Sequence, residues 1–217
     1  MSILQPVKVV SQLYLLFLRQ VNHSCMLVLS RPLLLGSNSP RRQQILRDAG
    51  FPFSVEVHPT DEDFPADMPT DEVPVFLARK KAEAFRENLG EKLVLTADTV
   101  VRINEKILNK PTGPEEAAEM LRGLSGHTHE VTTGVCLMGE EGTIAFADTA
   151  RVRFRELTEQ EIRYYLETCH PFDKAGSYGV QDFIGMVGID RLEGSYFTVM
   201  GLPVHRVYDV LKPYILW

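Results

Sequence analysis

Two adjacent arginines follow a serine-rich turn in the segment Ser-Asn-Ser-Pro-Arg-Arg at 37–42. Ser39 and Pro40 are typical of the N-cap and the first residue of a helix. The N-terminus of a helix attracts anions through its free backbone N–H groups and its dipole, which also disfavours cations. Arg41 and Arg42 therefore predict a bound anion, because a guanidinium binds phosphate oxygens through paired hydrogen bonds. The alternative is a solvated helix start with two surface arginines.

An acidic residue, Asp98, interrupts the strand-like segment 93–103. An ionised aspartate within an apolar strand is costly unless it is paired or binds a cation. Functional residues of open α/β sheets gather beyond the carboxyl ends of strands, and we expect Asp98 in such a position. It is predicted to act as a general base toward water or to help hold a metal ion. The alternative is a turn residue between two short strands.

Lysines flank this strand on both sides. Lys80 and Lys81 lie in the preceding helical segment, and Lys110 follows the strand. Triphosphate chemistry relies on positioning and charge neutralisation, so spaced lysines and a carboxylate-held metal are its expected parts. The acidic loop 61–63, which contains Glu62, could supply the one or two carboxylates that Mg²⁺ needs. Each of these features alone is also typical of a solvated surface.

Other catalytic patterns are weak or missing. His127 and His129 alternate on one face of a predicted strand without a third ligand at metal spacing, so a structural, hydrogen-bonded role is predicted for His129. The chain contains no GxSxG, Walker A or GxGxxG motif, which argues against serine hydrolase, P-loop and Rossmann functions.

The composition is typical of a soluble globular protein, with 217 residues, 44% of them hydrophobic, and a net charge of −6. The basic residues occur in local pairs and form no stripe, which suits a small anion and argues against a nucleic-acid polymer. Cys25, Cys136 and Cys169 lie far apart without a Cys-x-x-Cys pair. This pattern predicts no disulfide framework or zinc site and favours a cytoplasmic location.

The first 30 residues differ from the rest of the chain. Their apolar stretch, 9–18, is interrupted by polar residues, is too short to span a bilayer and lacks the features of a signal peptide. Met26 stands immediately before another apolar run, as a second start codon would. Residues 1–30 are therefore predicted to be an extension, either poorly ordered or a start-site artefact, and residues 31–217 a single domain without a membrane partner.

Periodicity predicts an α/β fold with a mixed sheet, because two long adjacent segments favour an antiparallel pair beside alternating strands and helices. Predicted strands cover 33–35, 51–57, 93–103, 130–138 and 143–154. Predicted helices begin at Pro40, Val75, Pro114, Thr158 and Pro203, with a capping box formed by Thr158 and Glu161. Segments 59–74, 176–188 and 194–201 are predicted as loops.

Taken together, the chain resembles the Maf nucleotide pyrophosphatases over residues 33–211. The resemblance rests on eight segments in the family's order: 37–42, 61–62, 78–82, 96–101, 110–111, 124–131, 173–181 and 201–203. It implies an elongated, two-lobed fold of the Maf and ITPase type, with a twisted mixed sheet, flanking helices and a central nucleotide cleft. It also implies a possible homodimer, a divalent cation such as Mg²⁺ or Mn²⁺, and cleavage between the α- and β-phosphates.

The resemblance assigns roles residue by residue. Asp98 corresponds to the proton acceptor for the attacking water, and with Glu62 it is a candidate metal ligand. The candidate phosphate-binding residues are Ser37, Ser39, Arg41, Arg42, Lys81 and Lys110. Arg41, Thr99 and Gln181 resemble the subgroup that acts on dTTP and UTP. Asp182, Phe197-Thr198 and His127 depart from the family's usual residues, which affects the fine base preference.

Three other functions remain as alternatives. One is a house-cleaning pyrophosphatase for damaged purine triphosphates, built on a related fold. A house-cleaning role against non-standard nucleotides also belongs to the main prediction, hydrolysis of dTTP and UTP. Another is a nucleotide-binding regulator of septum formation without essential catalysis, although Asp98, Lys81 and Lys110 favour an enzyme. The third, nucleic-acid binding, lacks a basic surface.

Overall fold

The computed structural model describes residues 26–104 and 106–217, and its central feature is a seven-stranded mixed sheet. The chain order is β1 (Val28–Leu29), β2 (Leu33–Leu35), α1 (Pro40–Asp48), β3 (Ser54–Val55), α2 (Val73–Glu83), β4 (Leu93–Ile103), β5 (Lys106–Leu108), α3 (Pro114–Leu124), β6 (Thr128–Gly139), β7 (Gly142–Phe154), α4 (Glu159–Cys169), α5 (Phe183–Gly188), β8 (Ile189–Glu193), α6 (Tyr196–Met200), α7 (Val204–Leu211) and β9 (Ile215–Leu216). Short 3₁₀ helices occupy Arg86–Asn88, Pro171–Asp173, Ala175–Ser177 and Lys212–Tyr214.

The sheet order is β3-β2-β4-β6-β7-β8, with β5 paired to the far end of β4. β2 pairs in parallel with β3 and β4, and the remaining pairs are antiparallel. The predicted α/β class, the mixed sheet and the antiparallel pair of long strands are therefore confirmed. β1 and β9 form a separate two-stranded sheet that joins the two ends of the described chain.

Local signals account for the helix starts. Ser39 Oγ accepts a hydrogen bond from the backbone N–H of Arg42, and Pro40 occupies the first turn of α1. The predicted capping box of α4 is present, because the Thr158 hydroxyl accepts from the Glu161 N–H and the Glu161 carboxylate accepts from the Thr158 N–H. Such caps satisfy backbone donors that no residue of the helix itself can reach.

Helix α2 lies directly against the sheet, at a point where β6 has no side chain. A Cβ at Gly134 would approach the backbone carbonyl of Pro74 to 2.2 Å, so only glycine permits this distance. One strand away, the Thr96 hydroxyl donates to the Ala78 carbonyl of α2 at 2.6 Å. Gly134 pairs in register with Asp98 of β4, so the close approach brings α2 over the middle of β4.

The apolar core forms clusters at both ends of the central strand. One cluster packs α1, α7 and the first half of β4, with Leu35, Leu46, Leu95 and Leu202 among its members. Another packs α3 and α4 against the far half of the sheet, with Val101, Leu121, Phe154 and Tyr165 among its members. The middle of β4, between these clusters, borders a cleft.

Some predicted elements differ from the observed ones. The strand predicted at 51–57 is reduced to β3, and the predicted helix from Val75 begins at Val73 and ends at Glu83, before a 3₁₀ turn. The segments predicted as loops, 176–188 and 194–201, contain α5 and α6. Tertiary packing stabilises these short helices, because Ile184 and Thr198 are fully buried in spite of the surrounding glycines.

The predicted N-terminal extension lies mostly outside the described residues, as does Cys25. Within the described part, Val28 and Leu29 pair with β9, so the folded unit includes residues that precede 31. Across residues 26–104 and 106–217, none of the helices combines the length and apolarity that crossing a bilayer requires.

Candidate active site

A cleft of about 490 Å³ opens beside the middle of β4, a volume in the range of small-ligand sites. Five basic side chains and three carboxylates line it. They are Arg41, Arg42, Lys81, Lys110 and Lys174, and Glu62, Asp98 and Asp173. The cleft therefore has an excess of two positive charges in a chain whose net charge is −6. This local reversal of sign favours an anionic ligand.

The centre of the cleft is a lysine shared by two carboxylates. Lys81 Nζ lies 2.5 Å from Asp98 Oδ1 and 3.1 Å from Glu62 Oε1. Only 18% of the Lys81 side chain and 12% of the Asp98 side chain are exposed to solvent. Because an ionised carboxylate at this depth requires a positive partner, the ammonium group stabilises Asp98 within the sheet.

Asp98 occupies a different place from the one expected. It lies inside β4, not beyond its end and not in a turn. The parallel pairing of β2 with β4, however, stops at Leu35 and Leu95. Asp98 therefore follows the end of the parallel part of the sheet, while antiparallel pairing with β6 continues the strand past it.

Glu62 joins Lys81 to the second predicted lysine. Lys110 Nζ lies 3.2 Å from Glu62 Oε2, and this pair is more exposed than the pair at Asp98. Partial burial alone would raise the pKa of Glu62, but Lys81 and Lys110 together hold it below its usual value. Glu62 thus remains a carboxylate at neutral pH and bridges two cations at one side of the cleft.

The same two carboxylates are the candidate ligands for a metal ion. No group of three or more His, Cys, Asp or Glu side chains at metal-binding distance occurs among the described residues. Magnesium, however, often takes one or two carboxylates and completes its shell with waters and substrate phosphates. Asp98 and Glu62 already converge on one cation, the Lys81 ammonium, so they fit a divalent ion that is held jointly with a phosphate ligand.

The start of α1 places a guanidinium against the cleft that, among residues 26–104 and 106–217, forms no ion pair with a carboxylate. Arg42 donates to Gly201 O at 2.8 Å, to Thr99 Oγ1 at 3.1 Å and to Ser37 Oγ at 3.2 Å. Burial lowers the pKa of Arg42, an effect that the charge of Asp98 partly opposes. A partly buried cation held only by neutral oxygens is a suitable partner for a phosphate.

The neighbouring arginine contacts the opposite wall. Arg41 Nη1 lies 3.1 Å from Asp173 Oδ2, and Lys174 Nζ lies 2.8 Å from the other oxygen of the same carboxylate. Burial would raise the pKa of Asp173, but the two cations together lower it. An anion that binds Arg41 must therefore share it with Asp173 or displace that carboxylate.

The remaining predicted residues line the same cleft. Thr99 lies beneath Arg42, and Ser37 and Ser39 border the start of α1. Gln181 follows the 3₁₀ helix Ala175–Ser177, and its Oε1 is a buried acceptor with no hydrogen-bond partner among the described residues. A buried amide oxygen left unpaired is costly, so this atom favours a ligand that carries a hydrogen-bond donor.

All the predicted site residues thus lie around one cleft, but the prediction missed several members. Asp173, Lys174 and Tyr178 also line it. The signal was available, because a charged Asp-Lys pair directly precedes the glycine-containing segment 175–179. Lys174 is largely buried, and its Nζ lies 3.5 Å from a carboxylate oxygen of Asp182, one of the residues that depart from the pattern of the resemblance.

The chain is similar in sequence to known proteins over most of its length. The family model described as Maf-like protein matches residues 32–214. A dTTP/UTP pyrophosphatase of Porphyromonas gingivalis is 49% identical over 186 residues, which cover 84% of this chain and 94% of that protein. A dTTP/UTP pyrophosphatase of Bacteroides fragilis is 48% identical over 182 residues, covering 83% and 94%. A third, from Cytophaga hutchinsonii, is 42% identical over 180 residues, covering 83% of each chain.

Behind the cleft, His129 has the structural role that the sequence predicts. Its Nε2 lies 2.7 Å from the Tyr178 hydroxyl, and its ring stacks on Phe154 with centroids 5.6 Å apart. Burial lowers the pKa of His129 to about 4. His127, by contrast, is exposed, and its ring contacts the Ser125 carbonyl.

His129 should make the stability of the fold depend on pH. Between about pH 6.5 and pH 4 the unfolded chain binds a proton on this imidazole and the native protein does not, so stability decreases as the pH falls. From pH 7 to pH 5 this group should cost about 2 kcal/mol of unfolding free energy. Urea denaturation at both pH values should show this loss in wild type and in the control His127→Gln, but not in His129→Gln. An equal loss in all three proteins would contradict the prediction.

Proposed function

The chain belongs to the Maf family, and we propose that it is a nucleoside triphosphate pyrophosphatase that hydrolyses dTTP and UTP to the nucleoside monophosphate and pyrophosphate. The relatives with this printed name match most of the chain at 42–49% identity. The observation that carries the proposal is the carboxylate of Asp98, held by Lys81 inside a cleft with excess positive charge. A base, a cationic cleft and a water molecule are the parts that anhydride hydrolysis requires.

In the proposed reaction a water molecule attacks the α-phosphorus, and Asp98 accepts its proton. The new bond joins the water oxygen to the α-phosphorus. The bond from that phosphorus to the α–β bridging oxygen breaks, and its electron pair leaves with pyrophosphate. Lys81, already beside Asp98, and Lys110 are placed to neutralise the negative charge that develops on the leaving group.

We assign the phosphate chain to the α1 side of the cleft. Arg42, with Ser37 beside it, provides a preorganised guanidinium, and Ser39 accepts from the Arg42 backbone N–H and so fixes the start of α1. Arg41 would add a second guanidinium once a phosphate competes with Asp173. Preorganised donors need no rearrangement during the reaction, which is why they stabilise charge in a transition state.

A divalent cation, Mg²⁺ or Mn²⁺, is part of the proposal, with Glu62 and Asp98 as its protein ligands. The converging oxygens of these two residues support the assignment. When bound, such an ion would neutralise phosphate charge and orient the reacting phosphate. Lys81 and Lys110 would then transfer part of their present pairing with carboxylates to the phosphates of the substrate.

Base recognition is assigned to Gln181 and Thr99. The unpartnered Oε1 of Gln181 accepts hydrogen bonds, and uracil and thymine both offer an imide N–H donor. A base without this donor would leave the buried oxygen unpaired, which is how such sites reject close analogues. This assignment favours uracil and thymine over cytosine, whose ring nitrogen at the same position is an acceptor.

The wider biological setting also belongs to the proposal. The non-catalytic role in septum formation is not favoured, because the similar relatives carry the name of an enzyme. Two of the free cysteines, Cys136 and Cys169, support a reducing cytoplasm. A house-cleaning role and a homodimer remain predictions, and light scattering of the purified protein tests the second.

Replacing the proposed base tests the reaction. Asp98→Asn keeps the size of the side chain but removes its ability to accept the proton of water, so we expect kcat for dTTP and UTP to fall by about 10²–10⁴-fold. Binding of the product UMP, measured by calorimetry, should persist. Pyrophosphate release from a panel of nucleoside triphosphates provides the measurement. Full turnover by Asp98→Asn, or none by the wild type, would contradict the proposal.

Replacing the second carboxylate tests the metal assignment. Glu62→Gln should raise the Mg²⁺ or Mn²⁺ concentration needed for half-maximal activity by roughly tenfold or more, because one negatively charged ligand is lost. Chelation of the metal should abolish wild-type activity. Asp63→Asn is the matched control, since Asp63 is an exposed carboxylate of the same loop that does not line the cleft. Identical metal titrations for Glu62→Gln and wild type would remove Glu62 from the metal site.

A further inference from the structure

A row of polar side chains crosses the sheet beneath the cleft. Thr99 of β4 pairs in register with Thr133 of β6, and Thr133 pairs with Asp148 of β7. Residues directly opposite each other on adjacent strands point to the same face of the sheet. Above this row lies α6, whose Thr198 donates a short hydrogen bond to Asp148. Thr133 and Thr198 are both completely buried.

The hydrogen bonds in this row can have only one direction. Thr133 Oγ1 lies 2.8 Å from the carbonyl oxygen of Thr198, which can only accept, so Thr133 uses its single proton there. Thr99 Oγ1 lies 3.0 Å from Thr133 Oγ1 and must therefore donate to it. Arg42 in turn donates to Thr99 Oγ1. The direction runs from Arg42 through Thr99 and Thr133 to Thr198.

This direction determines how Thr99 meets a ligand. Its proton is used on Thr133, and one of its two lone pairs accepts from Arg42. Toward the cleft, Thr99 can therefore act only as a hydrogen-bond acceptor. Gln181 Oε1, which has no hydrogen-bond partner within the described part of the chain, is also an acceptor. Two acceptors in one cleft select a ligand that presents a donor.

We propose that Thr133 is a positioning residue for base selection, which acts by holding the Thr99 hydroxyl as an acceptor toward the imide N–H of uracil or thymine. The inference rests on the proposed function, in which Thr99 contributes to recognition of the base. Thr133 itself is not among the residues that line the cleft, so it acts through Thr99. The same hydroxyl ties α6 to the sheet, and the residue that ends α6, Gly201, accepts from Arg42.

Substituting valine for Thr133 removes the hydroxyl with little change in shape. Thr99 would then lose its acceptor and could turn its proton into the cleft. Cytosine has a ring nitrogen acceptor where uracil has the imide donor, so the variant should discriminate less between UTP and CTP. A purely structural defect would lower turnover of both nucleotides alike and leave their ratio unchanged.

The experiment compares kcat and KM for UTP and CTP in wild type, Thr133→Val, Thr133→Ser and Thr132→Val. The serine variant restores the hydroxyl. The Thr132 variant is a matched control, since Thr132 is the adjacent residue, faces the other side of the sheet and makes its own threonine pair with Thr149 at 3.0 Å. Thermal unfolding of each variant is followed in parallel, and Thr133→Ala takes the place of Thr133→Val if the valine variant does not fold.

For Thr133→Val we expect kcat/KM for UTP to fall about tenfold, mainly through KM, with a smaller fall for CTP. Thr133→Ser and Thr132→Val should stay within about twofold of wild type. In a Thr99→Val background, Thr133→Val should have almost no further effect, because its partner is already absent. Any of three results would overturn the inference. The first is an unchanged ratio of kcat/KM for UTP to kcat/KM for CTP in Thr133→Val. The others are a Thr133→Val effect that is as large in the Thr99→Val background as in wild type, and equal losses of kcat/KM in Thr133→Val and Thr132→Val.

Failure of the proposed function would be visible separately. If the wild type releases no pyrophosphate from any triphosphate, binding of a non-hydrolysable α,β-imido analogue of dUTP is measured by calorimetry. Weaker binding by Thr133→Val than by wild type would support the inference without the reaction. Equal binding by the two proteins, or no binding by the wild type, would overturn it.

Discussion

The carboxylate of Asp98 lies in the interior of a central strand, where an ionised group requires a cation. Lys81 supplies that cation from α2, so the helix must approach the sheet closely enough for the ammonium group to reach β4. Gly134 permits this approach, because any side chain there would meet the backbone of Pro74. The hydrogen bond from Thr96 to α2 holds the helix in the same place. The position of one helix thus follows from one buried charge.

The two faces of β4 divide the chemistry between them. Side chains of a strand alternate, so Asp98 points toward α2 and Thr99 points toward α1 and α6. The first face carries Asp98, the proposed general base, with its partner Lys81. The second face carries Arg42 and the buried hydroxyl of Thr133, which orients Thr99. In the proposed arrangement, a single strand therefore contributes Asp98 for the reacting phosphate and Thr99 for the nucleobase to one cleft. Continuous pairing with β6 from Val94 to Arg102 fixes the positions of Asp98 and Thr99 relative to each other.

Signals that act within a few residues were predictable from the sequence. The cap at Ser39 and the capping box of Thr158 depend only on local spacing, and the long strands correspond to continuous strand-like segments of the sequence. The site residues come from motifs that lie far apart in the chain, and no local pattern shows that these motifs meet in the fold. Only the resemblance to a known family could group them. The short helices α5 and α6 were not predictable, since their stability comes from tertiary burial. The contact of Thr133 with Thr99 depends on strand register, which no local pattern specifies.

In the proposed reaction, Asp98 and its cationic cleft direct water to the α-phosphorus of a pyrimidine triphosphate. Hydrolysis of UTP in water enriched in ¹⁸O tests it most directly, with mass spectrometry of both products. We expect one labelled oxygen in UMP and none in pyrophosphate, because the attacking oxygen remains on the α-phosphorus. Label in pyrophosphate, or release of inorganic phosphate in its place, would contradict the assignment of the reaction.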